Sequence, residues 1–216
     1  MPVHTRAAIA RFVRAALLPA TFCLLVQAAV AEELRIDPHA GVGAVARDGG
    51  EADLVAIYGT GAVRAIDVDL GEGEHAPGAL LFPDDERRRV EVVWRDPVGR
   101  RGLAQARLRG AATAWRLPGG LTLGLTLEEV ERLNGRSFRL AGFAWDGGGV
   151  VLSWEGGTLA ATLGEDVLVF FDVSAAASQR PEFLEVQGDR PFASGVAAMR
   201  ALEPTVQRVV VLFERP

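Results

Sequence analysis

Asp67-Val-Asp69-Leu-Gly-Glu72-Gly-Glu74-His75 gathers four acids and an imidazole within nine residues. These ligand types suit a hard or borderline divalent cation. Their spacing does not match the twelve-residue calcium loop, so the stretch reads as a hydrophilic, glycine-rich loop and no metal or other cofactor is expected. Two further stretches, Trp145-Asp146-Gly147-Gly148-Gly149 and Trp154-Glu155-Gly156-Gly157, each set a large aromatic beside an acid and a flexible reversal. Exposed, they form a recognition patch of the kind that anchors interfaces or stacks on sugar rings. Buried, they are core tryptophans closing a hairpin. The neighbouring residues favour a division: Trp154 follows the apolar run Val150-Val151-Leu152 and is expected in the core, whereas Trp145 is expected to be partly exposed. Trp145, Asp146, Glu155 and Asp189 are the candidate partner-binding residues.

Most catalytic chemistries lack their parts. The only cysteine is Cys23 and lysine is absent, which removes thiolate catalysis, cysteine-ligated zinc and a phosphate-binding Gly-x-x-x-x-Gly-Lys loop from the rest of the chain. His39 and His75 lie in neither a His-Glu-x-x-His helix nor a Gly-x-Ser-x-Gly elbow. Carboxylate-pair chemistry leaves no linear signature, because the two acids need only meet in space. It keeps one enzymatic alternative open: a small hydrolase acting on envelope glycans, using Asp146, Glu155 or Asp189.

The N-terminus predicts export. Arg6, Arg11 and Arg14 precede an uncharged run from Ala15 to Ala31 that contains Phe22-Cys23-Leu24-Leu25-Val26 and ends in Ala29-Val30-Ala31. Small residues at those last positions suit signal peptidase, so residues 1–31 read as a signal peptide and 32–216 as the mature domain. Pro19 and the cleavage motif count against an anchor, and no stable membrane insertion is expected after cleavage. Three of the 23 basic residues and none of the 28 acids lie in the leader, leaving a formal charge of −8. Such a chain repels polyanions, and its one basic cluster, Arg87-Arg88-Arg89, directly follows Asp84-Asp85-Glu86. Nucleic acid is therefore not an expected partner. With Cys23 lost, stability rests on burial rather than disulfides.

Strand signals dominate the mature region. Residues 90–94, 150–154, 167–171 and 206–213 are rich in β-branched and aromatic types, and glycine clusters between such runs suit antiparallel reversals. Thr126, with Glu129 three positions on, predicts a capped helix whose stripe is Leu127, Val130 and Leu133 and whose end is Asn134-Gly135. Glu128 and Glu131 read as its solvated face. A fainter echo lies 76 residues upstream, where Leu54, Ile57 and Gly59 fall on Val130, Leu133 and Gly135. The expected fold class is α+β, with short helices packed on antiparallel sheet and two tandem repeats, 41–110 and 115–216, as an option.

The blocks "GLTLGLTLEEVERLNGRSF", "GFAWDGGGVVLSW" and "EGGTL" resemble, in the same order, a family of secreted bacterial proteins that carries no established activity. The resemblance extends into "FPDDERRRVEVVWRD", "GDRPFAS" and "LEPTV". More remotely, the glycine, short threonine-capped helix and tryptophan-ended strand resemble the repeat of β-lactamase-inhibitor-like proteins and of small outer-membrane-assembly lipoproteins. That likeness implies a non-catalytic binding module with short helices on a curved antiparallel sheet. This chain departs from the pattern: Gly124-Leu125-Thr126 stands where Gly-Met-Thr is usual, and the upstream half has no threonine there. The expectation is thus an exported, non-catalytic binding or interaction protein of the periplasm, whose partner is an envelope protein or ligand not identified by sequence.

Overall fold

The computed structural model describes residues 34–213. The proposed signal peptide lies outside the described residues. Within them the fold is α+β, as the residue pattern predicts, with five short helices and three antiparallel sheets. A small first sheet is made by β1 (Ile36–Asp37), β2 (Gly41–Val42) and β3 (Val45–Ala46), followed by α1 (Glu51–Tyr58). A meander follows: β4 (Val63–Gly71), β5 (Glu74–Leu81), β6 (Val90–Asp96) and β7 (Arg101–Arg109). Then come α2 (Leu127–Asn134), β8 (Arg139–Ala141), β9 (Val151–Ser153), α3 (Thr158–Leu163) and β10 (Val167–Asp172). The last elements are α4 (Pro181–Glu185), β11 (Pro191–Ala193), α5 (Ala197–Ala201) and β12 (Thr205–Leu212). The main sheet has the order β10-β12-β7-β6-β5-β4, and the third sheet β11-β8-β9. Among the described residues no helix is long and apolar enough to cross a membrane.

Strand alternation gives the main sheet two unlike faces. Val92, Ala106 and Val211 form a cross-strand row on the inner face, all buried. The opposite face carries two rows of another kind, one in which Glu91 pairs with Arg107 and one in which Arg109 pairs with Arg208 and Arg208 with Phe170. Arg107 is only 6% exposed, with its Nε 4.0 Å from the Glu91 carboxylate. Burial and the neighbouring Arg109 pull its pKa down, and Glu91 opposes this. On the inner side, Phe171 stacks on Phe138, and Phe138 meets Trp154 at 5.4 Å, joining the main sheet to the third sheet through aromatic contacts.

The helix specification around Thr126 is realised in full. Thr126 Oγ1 accepts from the Glu129 N–H at 3.3 Å, and the Glu129 carboxylate accepts from the Thr126 N–H at 2.9 Å. Gly135 closes α2 in the left-handed conformation at φ 76°. Leu127 and Val130 are buried, and Leu133 packs partly against the core. The backbone N–H of Thr126, with its hydroxyl, holds the Glu129 carboxyl below its ordinary pKa. Thr126→Ala is expected to cost about 1 kcal/mol in urea unfolding at neutral pH. Because the Glu129 pKa is lower folded than unfolded, its contribution is present above the ordinary glutamate pKa and lost as pH falls through the depressed value. The stability gap between wild type and Glu129→Gln is therefore expected to shrink on acidification.

Two local readings need correction. Residues 67–75 are not a loop: Asp67 and Asp69 lie on β4, Glu74 and His75 on β5, and only Glu72-Gly73 form the turn. The acids alternate along paired strands, and Asp69 is spent accepting from the Gly71 N–H. Glu131 is not a solvated side chain: it is 15% exposed, accepts from the buried Ser194 hydroxyl and pairs with Arg200. Arg200 also holds the more exposed Glu128 at 3.0 Å, tying α2 to α5. Trp145 lies in the excursion between β8 and β9.

The upstream echo holds at one position and parts at the next. Leu54, like Val130, is buried, but Ile57 is 42% exposed where Leu133 packs against the core. In α1 the Asp53 carboxylate accepts from the Gly50 N–H, with no threonine to reciprocate. The strands that follow also differ. After α1 comes the four-stranded meander of the main sheet, whereas after α2 comes the β8–β9 hairpin of a separate sheet.

Candidate functional site

The Trp145 excursion is held shut by backbone contacts at its base. Gly149 N–H donates to Gly142 O at 3.1 Å, and Gly148 N–H donates to Trp145 O at 2.9 Å. Gly149 also seats the excursion against the edge of β10, accepting from the Phe171 N–H at 2.9 Å. A Cβ at Gly149 would fall 1.9 Å from Phe171 O, so only glycine permits this approach. Ala144 sits at φ 65°, a left-handed conformation that a Cβ-bearing residue adopts at a cost of about 1 kcal/mol.

This backbone turns the Trp145 indole back on itself. Its Nε1–H donates to Gly142 O at 2.9 Å, fixing one edge. Its six-membered ring lies so close to Gly147 that a Cβ there would stand 2.4 Å from Cη2. The side chain is nonetheless 43% exposed, whereas Trp154 is buried at 8%. The triple glycine thus has a physical reason beyond the turn: it lets the ring lie down against the backbone and leaves part of its surface to solvent.

Beside Trp145 opens a groove of about 530 Å3, at the end of the main sheet where β10, β12 and β7 adjoin. Its apolar lining includes Phe143, which stacks on Phe183 at 6.1 Å, and Phe170. Arg208 lies over the Phe170 ring at 3.7 Å. Arg109, directly opposite Arg208 across the strand pair, donates to Asp69 O at 3.0 Å and lies 3.6 Å from Glu91. Burial and then the Arg109 charge pull the Arg208 pKa down, while Asp172 raises it. The register slips between Phe170 and Phe171, so Gln207 is the extra residue on β12 and reaches the groove wall. Bulges commonly re-aim a side chain in this way.

The structure separates the four candidate residues. Trp145 and Asp146 line the groove together. Glu155 lies elsewhere, paired with Arg139 at 3.4 Å beside Ser137 and Ala193. Asp189 is exposed on the loop that follows α4, where Gly188 N–H donates to Phe143 O and Arg190 O accepts from Gly142 N–H. It flanks the base of the excursion without lining the groove. Among the described residues no three His, Cys, Asp or Glu side chains form a group suited to a metal ion.

Arg109, Phe170, Asp172 and Arg208 were missed as groove residues. A partial signal existed, since Phe170-Phe171 on one strand must point to opposite faces, and Arg208 interrupts an apolar run. Their meeting depends on the β7–β12 register, which no local pattern encodes. Comparison with family models, curated proteins and solved structures found no match for this chain.

Proposed function

We propose that this is an exported, non-catalytic binding protein of the bacterial periplasm, and that the groove beside Trp145 is where it holds an envelope ligand or partner. The observation that carries the reading is the fixed, exposed indole at the mouth of a groove walled by aromatic and charged side chains. Pockets with an apolar lining and a few convergent polar groups are the usual form of a ligand site. Export rests on Arg6, Arg11, Arg14 and Ala29-Val30-Ala31, and the proposal includes cleavage after Ala31 and no membrane anchor. An ancestral duplication is proposed on the helix–glycine match of the two halves alone. The likeness to a secreted bacterial family and to β-lactamase-inhibitor-like repeats belongs to the same proposal.

The test uses the exported protein as bait in native envelope extract, with Trp145→Ala alongside. Protein and glycan fractions are both analysed, and intact mass establishes that the bait begins at Glu32. Material retained by wild type and lost from Trp145→Ala is expected. Equal retention by the two baits removes the groove from the reading, and a mature species still containing Cys23 removes the soluble periplasmic form. A second reading, the small carboxylate-dependent hydrolase acting on envelope glycans, is favoured by one observation: Asp146 and Asp172 line the same groove. Glycan recovered unchanged in mass after incubation supports binding, whereas chain cleavage abolished by Asp146→Asn supports hydrolysis.

A further inference from the structure

We infer that the ligand of this groove is a neutral saccharide, stacked on Trp145 and held through its hydroxyls. The inference rests on the binding reading above and adds the chemical class of the occupant. Three features of the groove select that class.

The first is the platform. The indole is fixed at one edge by its bond to Gly142 O and backed by Gly147, so little motion is left for a ligand to arrest. A rigid aromatic surface beside polar groups suits a partner with a flat face of C–H bonds and a rim of hydroxyls. The second is charge. Arg109 and Arg208 line the groove with Asp146 and Asp172, two cations against two anions, so the site has no net charge to select an ion. These groups are also partly engaged with one another and with the chain. Arg208 lies over Phe170 near Asp172, Asp172 accepts from the Val173 N–H at 2.7 Å, and Arg109 reaches Asp69 O and Glu91. A carboxylate or phosphate entering here meets the two aspartates, and an ammonium meets the two arginines. A hydroxyl, donor and acceptor at once, meets no such conflict.

The third is the kind of polar atom on offer. Asp146 and Asp172 present acceptors, the two arginines present planar donor sets, and Gln207 and Ser178 present both. That mixture suits adjacent hydroxyls of a sugar ring. The groove volume falls within the range of small-ligand sites.

The four tryptophans supply the measurement. Trp94, Trp115 and Trp154 are buried and Trp145 alone is exposed, so acrylamide quenching of the intrinsic fluorescence reports chiefly on Trp145. The mature protein is titrated with neutral β-linked N-acetylglucosamine oligomers, cello-oligosaccharides and malto-oligosaccharides, and in parallel with an acidic oligouronate. At least one neutral series is expected to bind and protect Trp145 from acrylamide. Trp145→Ala is expected to weaken that binding at least tenfold in calorimetry while its melting temperature falls by only about 2–4 °C, and Trp145→Phe to restore part of it. Asp146→Asn is expected to weaken binding without altering the quenching of the free protein. Binding by none of the neutral series, binding by the oligouronate alone, or equal affinity of wild type and Trp145→Ala overturns the inference. If the neutral series fail while envelope material is still lost from the Trp145→Ala bait, the saccharide assignment falls and the binding reading stands.

Discussion

Trp154→Ala is expected to lower the unfolding free energy by about 3–5 kcal/mol. Trp154 is 8% exposed, its ring lies 5.4 Å from Phe138 at 53°, and Phe138 stacks in turn on Phe171 of β10. Removing the indole leaves a cavity at the junction of the main and third sheets, where Phe138 is tied to Ser194 by two hydrogen bonds and Phe171 lies on β10, so collapse is limited. Trp145→Ala, by contrast, forfeits one hydrogen bond and partial burial, a loss of roughly 1 kcal/mol. Urea unfolding followed by far-ultraviolet circular dichroism measures both without relying on the deleted fluorophore. A loss below about 1 kcal/mol for Trp154→Ala contradicts its place in the core.

Asn134→Leu is expected to cost about 2 kcal/mol despite the similar size of the new side chain. Asn134 is buried at the end of α2, and its amide reaches three separate segments. Its Nδ2 donates to Arg136 O and to Trp154 O, both at 3.0 Å, and its Oδ1 accepts from the Leu159 N–H at 3.2 Å. Leucine would leave the buried Leu159 N–H unpaired, at a cost of about 1–3 kcal/mol, and would take one of two donors from the Trp154 carbonyl, which also accepts from the Gly157 N–H at 2.9 Å. Gly157 admits the amide closely, since a Cβ there would stand 2.2 Å from Oδ1. Asn134→Ser at the same position is expected to destabilise as well, because a single hydroxyl cannot span all three partners. A stability equal to wild type for Asn134→Leu would show that solvent reaches those groups.

These two residues mark how far the fold was legible. The start, stripe and glycine end of α2 were readable because capping and amphipathicity are properties of eight to ten consecutive residues. Asn134 reads only as a helix terminator, since two of its three partners lie 20 and 25 residues ahead. Glu131 read as solvent-facing because Ser194 and Arg200 are more than 60 residues away. The exposed state of Trp145 was inferred from its acidic and glycine neighbours, and its fixation came from Gly142 and Gly147 within the same short stretch. The rest of the groove leaves only a partial signal in the residue order. Arg109 and Arg208 become neighbours only through a strand register set by distant parts of the chain. The upstream echo misled for the related reason that Leu54 and Ile57 share spacing with Val130 and Leu133 but not surroundings.

The place of β12 bears on the order in which this molecule can be made. It lies between β7 and β10, and its residues pair with positions about 100 earlier in the chain. A ribosome adding roughly 5–20 residues per second delivers that strand several seconds after β7 has been synthesised. Until then the middle of the sheet has an open hydrogen-bonding edge bordered by apolar side chains, a template for pairing with other chains. Contacts so distant in sequence also close slowly. The nascent polypeptide consequently depends on being kept apart from its siblings until its final strand arrives, and a chain terminated before Thr205 never loses that exposure.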